Sequence, residues 1–369
     1  MRKILNVRPA GSRNYQVRIG PDILHELIRV LPLECATVCI ISDDNVAPLY
    51  AEKVKAVVKE RAEVEIITFP AGEANKNRMT KEQIEDKLLA ANLRRDCTVV
   101  ALGGGVALDM AGFVASTFLR GVPWITLPTS LLAAVDASIG GKTGLNTTQG
   151  KNLIGAFHQP YAVLINLDFL TSLPAEEIDN GLAEMVKHAV IADADHLNEL
   201  VEAAGEIRSL NLKTLERPVR RSVEIKAKIV SMDPGERNLR QVLNCGHTIG
   251  HAIELVSQYR IKHGLAVAAG LSVEAGIANQ LGLLSTRELE RLREVLRNLS
   301  LPLAPPDILD PAILLEATRT DKKNRLRKNL YSLPVGLGKM ISAGPDGYVH
   351  QVDDEVVLAA LEETQESLA

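Results

Sequence analysis

The 369 residues are 46% hydrophobic and 24% charged with a formal net charge of −4, which provides for a large core and excludes both a disordered chain and a basic field for gripping nucleic acid or an anionic membrane. Aromatics are only 3%, so Leu, Ile, Val and Ala must fill that core, and the length suggests two domains. The four cysteines, Cys35, Cys39, Cys97 and Cys245, are too few and too irregular for a disulfide framework and suit a reducing compartment.

Met1 to Arg8 lacks the apolar stretch of a signal peptide, and no apolar run approaches the roughly 20 residues of a membrane span, so a cytoplasmic protein with no membrane or nucleic-acid partner is expected. Ala36–Ile41, Glu63–Phe69, Cys97–Leu102, Pro123–Leu127 and Ala162–Leu167 are short, apolar and β-branched and read as strands. The polar turn Ser42-Asp43-Asp44-Asn45 follows the first, and Gly103-Gly104-Gly105 links the third to an apolar helix at Met110–Ser116. Alternation of this kind predicts a Rossmann-like, dinucleotide-binding α/β domain over residues 1–175. Residues 176–369 read as a mostly α-helical domain, with a cleft between the two. Helical apolar spacing runs through Ala175–Ala194, Lys213–Met232, His247–Ser257, Gly264–Leu281 and Thr286–Leu296, and strand-like runs are nearly absent until Asn329–Val335.

The glycines of Ala101-Leu-Gly-Gly-Gly-Val-Ala-Leu-Asp109 let backbone approach a phosphate at a helix N-terminus. Their spacing is not G-x-G-x-x-G, and a tight strand-to-helix turn without ligand would use the same residues. Pro128-Thr129-Ser130 at the end of the next strand favours a nucleotide site.

Asn244-Cys-Gly-His247-Thr-Ile-Gly-His251-Ala-Ile-Glu254 places two histidines on one helical face, and His263 follows shortly after. Imidazole suits zinc, and a catalytic zinc takes three protein ligands and keeps one open position. Glu184 is the outstanding carboxylate partner because its helix is otherwise apolar. The plainer alternative has the histidines capping helices and Glu184 paired with Lys187 at i,i+3.

Asp136-Ala-Ser-Ile-Gly140-Gly-Lys142-Thr-Gly-Leu-Asn146 and Gln149-Gly-Lys151-Asn152 read as loops with flexible backbone beside a cation, a pattern that suits phosphate or carboxylate. Arg120, Lys187, Lys226 and Arg240 are isolated cations in apolar or motif-bearing segments. Such cations need anionic partners, which structural salt bridges or a phosphorylated carboxylic acid would supply.

Through these runs the sequence is similar to the 3-dehydroquinate synthases across essentially its whole length. The matching segments are Leu102-Gly-Gly-Gly-Val106, Ala111-Gly-Phe113, Leu119-Arg-Gly121, Val135-Asp-Ala-Ser-Ile-Gly-Gly-Lys-Thr-Gly144 and Gly150-Lys-Asn-Leu-Ile-Gly-Ala-Phe157. Gly181-Leu-Ala-Glu184, Glu224-Ile-Lys-Ala227, Leu243-Asn244, Gly246-His247, Gly250-His-Ala-Ile-Glu254, His263-Gly264 and Asp321-Lys-Lys323 continue the match in order. The resemblance implies a Rossmann-like domain and an α-helical domain, usually in a homodimer. It implies conversion of the sugar phosphate 3-deoxy-D-arabino-heptulosonate 7-phosphate to 3-dehydroquinate and phosphate, an NAD- and metal-dependent lyase step of the shikimate pathway.

By the same resemblance, Glu184, His247 and His263 would hold the divalent metal (zinc or cobalt), and His251 would be a proton-relay or hydrogen-bonding residue. Lys142, Asn152, Lys187 and Arg240 would join it at the reacting substrate, with Arg120, Asp136, Lys226, Asn244 and Lys322 as further substrate contacts. Asp44, Glu73, Lys76, Gly104, Gly105, Val106, Asp109, Thr129, Ser130, Lys142 and Lys151 would lie along NAD, with Phe169, Leu170, Thr171 and Ser172 near its ring or ribose.

Three positions depart from the family pattern: Leu265 for the usual Glu after His263-Gly264, Leu108 for a usual Gly, and Thr147 for a common His. A carboxylate at position 265 would orient a metal-ligating His, so weaker metal binding is the expectation there. The alternatives are a cyclase for another sugar phosphate, a metal-dependent polyol dehydrogenase, and a sugar-phosphate-binding regulator without catalysis.

Overall fold

The structure is a computed structural model that describes residues 4–319, 330–344 and 347–366. Lys322, with Asp321, Lys323 and Asn329, lies outside the described residues. The chain divides into two compact units, Met1–Pro174 with Lys226–Pro234, and Ala175–Ile225 with Gly235–Ala369.

In the first unit the strands are β1 (Leu5–Val7), β2 (Tyr15–Gly20), β3 (Thr37–Asp43), β4 (Glu63–Phe69), β5 (Cys97–Gly103), β6 (Trp124–Pro128), β7 (Lys142–Thr147), β8 (Gly150–Phe157) and β9 (Ala162–Asn166). Helices α1 (Leu27–Val30), α2 (Ala47–Val58), α3 (Arg78–Ala90) and α4 (Gly105–Thr117) alternate with them. Among the described residues a seven-stranded sheet runs β1-β2-β9-β6-β5-β3-β4, parallel except where β1 meets β2. The central strands are buried on both faces, which is why they read as continuous apolar runs and not as alternations.

On one face Cys39, Ile41 and Val99 pack under α3 and α4, through Ile84, Leu88, Ala111 and Val114. On the other, Ile40, Val100 and Leu102 pack under α1 and α2, through Leu27, Tyr50 and Val54. From β3 the chain steps outward to β4, whereas from β5 it steps the other way to β6. The carboxyl ends of β3 and β5 therefore flank a topological switch point, where open α/β sheets take ligands.

Of the polar segments expected as loops, residues 142–146 and 150–152 lie instead in an antiparallel hairpin, β7 with β8, turning at Thr147 and Gly150, while residues 138–141 remain irregular. Leu145 is in the core and Ile154 and Ala156 pack against it beside α4. In β8 the half-buried Ile154 and Ala156 alternate with the exposed Leu153, Gly155 and Phe157, a strand period hidden by the glycines and lysines around it. Leu108, the departure in the glycine turn, points into that same core and is fully buried there.

The second unit carries α5 (Ala175–Ala192), α6 (Ala194–Glu202), α7 (Ala204–Arg208), most of α8 (Leu212–Met232), α9 (His247–Val256), α10 (His263–Gln280), α11 (Thr286–Asn298), α12 (Pro311–Thr318) and α13 (Asp354–Glu366). Each of the five helices predicted here forms within two residues of its expected ends. Helix α10 packs against α5, α9, α11 and α13 and is apolar on nearly every side, as a helix surrounded by others must be. Two glycines allow its backbone to touch its neighbours. A Cβ at Gly264 would stand 1.9 Å from the Asn180 carbonyl oxygen on α5, and one at Gly270 would stand 2.1 Å from the Gly246 carbonyl oxygen. Among the described residues no helix is long and apolar enough to cross a membrane.

Candidate active site

At the switch point of the first unit, Gly104 is the N-cap of α4 and offers no side-chain cap, so the first-turn N–H groups and their positive partial charge face outward. The Thr129 N–H donates to the Gly103 carbonyl at 2.9 Å, and Ser130 Oγ lies 3.5 Å from where a Gly104 Cβ would stand. Across the crevice, Asp43 Oδ1 accepts the N–H groups of Asn45 and Val46, each at 3.0 Å, and burial pushes its pKa up against that help. Asp44 Oδ1 accepts the Ala71 N–H at 2.8 Å. The turn Leu167–Ser172 that ends β9 contains Phe169 to Ser172, and the Tyr50 hydroxyl of α2 is 3.0 Å from the Phe169 carbonyl and 2.7 Å from Ser172 Oγ.

Beside α4 a second group of polar side chains closes on Lys76. Its Nζ lies 2.5 Å from Asp109 Oδ2 and 2.6 Å from Asn152 Oδ1. Burial opposes the Lys76 charge, but the Asp109 and Glu73 carboxylates outweigh it and hold the ammonium above the usual range. Glu73 Oε1 accepts from Asn146 Nδ2 at 2.8 Å, and Asn146 Oδ1 accepts the Asn152 N–H at 3.0 Å. Glu73, Lys76 and Asp109, expected on the cofactor, thus share one network with Asn152, expected on the substrate. Lys142 is exposed at the opposite end of the hairpin from Asn152, and Lys151 stands beside Asn152. Asp136 Oδ1 is 2.6 Å from Lys226 Nζ. Arg120 is exposed past the C-terminal end of α4, roughly 20 Å of helix from the glycine turn.

The second unit brings the histidines together. Glu184 Oε1 lies 3.5 Å from His247 Nε2 and 3.3 Å from His263 Nε2, while Glu184 Oε2 lies 2.5 Å from Lys187 Nζ. The plainer i,i+3 ion pair and the carboxylate–imidazole cluster therefore coexist, one on each carboxylate oxygen. The ring of His251 lies 5.4 Å from that of His247 and 6.1 Å from that of His263. Arg240 is buried, and Asn244 donates to Glu236 Oε1 at 3.3 Å.

The donor set fits a divalent metal. Glu184, His247 and His263 each offer an atom within 4.8 Å of the others, with the carboxylate fully buried. The far nitrogens of both rings are held: His263 Nδ1–H donates to Glu254 Oε2 at 3.0 Å and His247 Nδ1–H to the Cys245 carbonyl at 3.2 Å. That is how metal-ligating imidazoles are oriented. Burial alone would lower the His263 pKa, but the Glu254 carboxylate, with Glu184 behind it, pushes it up to about 10. The carboxylates that favour a proton on His263 would equally favour a cation bound in its place. His251, Glu254 and His263 form an overlapping donor group, which would cost His263 its orienting carboxylate.

Glu254 was visible only as part of a motif. Asn180 and Glu274 were missed, although Glu274 carries the signal that singled out Glu184, a carboxylate inside an apolar helix.

A Rossmann-like unit with a glycine turn at its switch point, and a helical unit with a buried carboxylate–imidazole cluster, form the architecture of the sugar-phosphate cyclases. Over 98% of this chain and 100% of the other, the fold matches the crystal structure of 2-deoxy-scyllo-inosose synthase complexed with carbaglucose-6-phosphate, NAD+ and Co2+, at a TM-score of 0.91 and 26% identity. Over the same shares it matches 2-epi-5-epi-valiolone synthase from Streptomyces hygroscopicus subsp. jinggangensis 5008, with NAD+ and Zn2+ bound, at 0.87 and 29%. The family models for the 3-dehydroquinate synthase N-terminal and C-terminal domains match residues 66–180 and 181–324. The 3-dehydroquinate synthase of Symbiobacterium thermophilum is 42% identical over 337 residues, 90% of this chain and 94% of that protein. The chain belongs to the 3-dehydroquinate synthase family.

Proposed function

We propose that the protein is a phosphate-eliminating lyase that converts 3-deoxy-D-arabino-heptulosonate 7-phosphate to 3-dehydroquinate and phosphate, using NAD and a divalent metal, zinc or cobalt. One observation carries the reading: in a chain whose two halves match the family in order, Glu184, His247 and His263 converge with donor atoms within 4.8 Å. When bound, NAD supplies a hydride acceptor restored within each turnover, and the metal supplies a Lewis acid for the substrate hydroxyls.

The protein's own residues do the remaining work. Glu184, His247 and His263 are the metal ligands, and Lys187 balances the second Glu184 oxygen. His251, beside the cluster and outside the ligand set, holds or moves a proton at the substrate. Lys142, Asn152, Arg120, Lys226, Arg240, Asn244 and Lys322 fix the substrate's carboxylate and phosphate, with Asp136 setting the Lys226 ammonium. The N-terminus of α4, with Thr129 and Ser130, takes the dinucleotide phosphates, and Asp44, Glu73, Lys76, Asp109, Lys151 and Phe169 to Ser172 line the rest of it. A cytoplasmic homodimer is the expected working form.

The test is phosphate release from this substrate with zinc and sub-stoichiometric NAD, following NADH absorbance in parallel. Many turnovers without NADH accumulation are expected. Net NADH formation would make the protein a dehydrogenase, and release only from glucose 6-phosphate or sedoheptulose 7-phosphate would make it a different cyclase.

A further inference from the structure

The metal donors sit on three helices, and two of them occupy the first residue of their helix: His247 opens α9 and His263 opens α10. Neither helix has a side-chain cap from its own N-cap residue, Gly246 in one case and Lys262 in the other. The caps come from elsewhere. Asn180, one turn before Glu184 on α5, accepts the N–H of Gly264 on its Oδ1 at 2.5 Å. Glu274, three turns along α10 from His263, accepts the N–H groups of Gly246 at 2.6 Å, Thr248 at 3.0 Å and Ile249 at 3.2 Å. The helix that carries one ligand thus caps the helix that carries the next, α5 to α10 and α10 to α9.

We infer that Asn180 and Glu274 are positioning residues, which fix the His263 and His247 imidazoles relative to Glu184 so that the metal donors stand at binding distance before a metal arrives. The inference rests on the reading of Glu184, His247 and His263 as metal ligands.

Three observations support a role aimed at the cluster. Glu274 is fully buried among apolar residues, where an ionised carboxylate is costly unless it is hydrogen-bonded. It meets that cost with three N–H donors at the positive end of α9, on either side of His247. Asn180 is itself fixed, since its Nδ2 donates to Glu177 Oε2 at 3.2 Å and Glu177 Oε1 lies 2.6 Å from Lys262, the residue before His263. Finally, Gly264 and Gly270 keep these helices in backbone contact beside the same caps, leaving little room to slide. A small shift of either helix start would displace its imidazole directly, because the ligand is the first helical residue.

The experiment measures zinc affinity of the metal-stripped full chain by competition with a chromogenic chelator, together with the visible absorption of the cobalt-loaded protein and the circular dichroism of each variant. Glu274→Gln and Asn180→Ala are expected to weaken zinc binding about 10- to 100-fold and to alter the cobalt spectrum while the fold is kept. Asn180→Asp, which retains the acceptor but loses the donor to Glu177, is expected to recover part of the affinity lost in Asn180→Ala. Val273→Ala, which removes buried volume from the same helix, is expected to lower the melting temperature and leave zinc affinity as it was. Wild-type affinity in folded Glu274→Gln and Asn180→Ala overturns the inference, and if one variant does not fold the other decides. If the unaltered protein takes up no zinc, or Glu184→Gln binds it as well, the metal reading itself fails and the inference falls with it.

Discussion

Glu254 Oε2 lies 3.0 Å from His263 Nδ1, so the imidazole turns its other nitrogen, Nε2, toward Glu184 at 3.3 Å. The carboxylate that orients this ring comes from α9, seven residues after His247. It stands where a carboxylate is wanted although position 265 is Leu. Replacing Glu254 with Ala is expected to weaken zinc binding by about 10- to 100-fold, as loss of a hydrogen-bond partner to a metal-ligating histidine does elsewhere. Leu265→Glu is expected to change the affinity less than Glu254→Ala does. Chelator competition on the folded, metal-stripped proteins checks both, and a large gain in Leu265→Glu would assign the orienting role to position 265.

Lys76 is buried and lies 2.5 Å from the partly exposed Asp109 carboxylate, so losing either partner leaves the other charge uncompensated. Lys76→Met is expected to destabilise the protein by about 1–3 kcal/mol in urea unfolding, less than for a fully buried pair because water reaches Asp109, and Lys76→Met with Asp109→Leu to recover part of that loss. The single variant also frees Asn152, so it should raise the KM for the sugar phosphate as well as for NAD.

Stability should fall on mild acidification because of His196. Burial holds its pKa below the ordinary value, and the 3.0 Å contact with Glu199 only partly opposes this. The folded pKa is the lower one, so the unfolded chain takes up the proton first. The stabilisation is therefore present above about pH 6.5 and is lost as pH falls toward the folded value. Urea midpoints at neutral pH and at pH 5.5 should show the drop, and His196→Gln should show a smaller one.

Two glycines in the helical unit predict opposite outcomes. Gly264→Ala would place Cβ 1.9 Å from a carbonyl oxygen and is expected to cost at least about 1–3 kcal/mol, with loss of zinc affinity because His263 is adjacent. Gly205→Ala, in α7 with open space around it, is expected to stabilise by about 0.4–1 kcal/mol. Thermal melts of the two variants separate these effects.

Much of the architecture was legible in the sequence because its causes are local. The runs 97–102 and 63–69 are rich in β-branched apolar residues whatever surrounds them, and the five readings of helical periodicity in the second unit became helices at nearly those bounds. The histidines stood out by their concentration and four-residue spacing and Glu184 by its otherwise apolar helix, and the structure brings Glu184, His247 and His263 within reach of one another. Short or disguised elements were harder. Strand β1 has three residues, and the β7–β8 hairpin hid its alternation among glycines and lysines.

What the sequence by itself determined is therefore the type and order of the main elements and the residue types able to bind a metal or a phosphate. Tertiary structure alone decided which of those residues meet. The order of strands puts the glycine turn at a switch point, Lys76 gathers Asp109 and Asn152 from distant segments, Glu254 meets the His263 ring, and Asn180 and Glu274 cap the helices that begin at His263 and His247. These contacts join residues as much as 84 positions apart. Spacing along one helix or strand is set by its own repeat, but the distance between two helices depends on side-chain volumes and backbone approach that no single segment encodes.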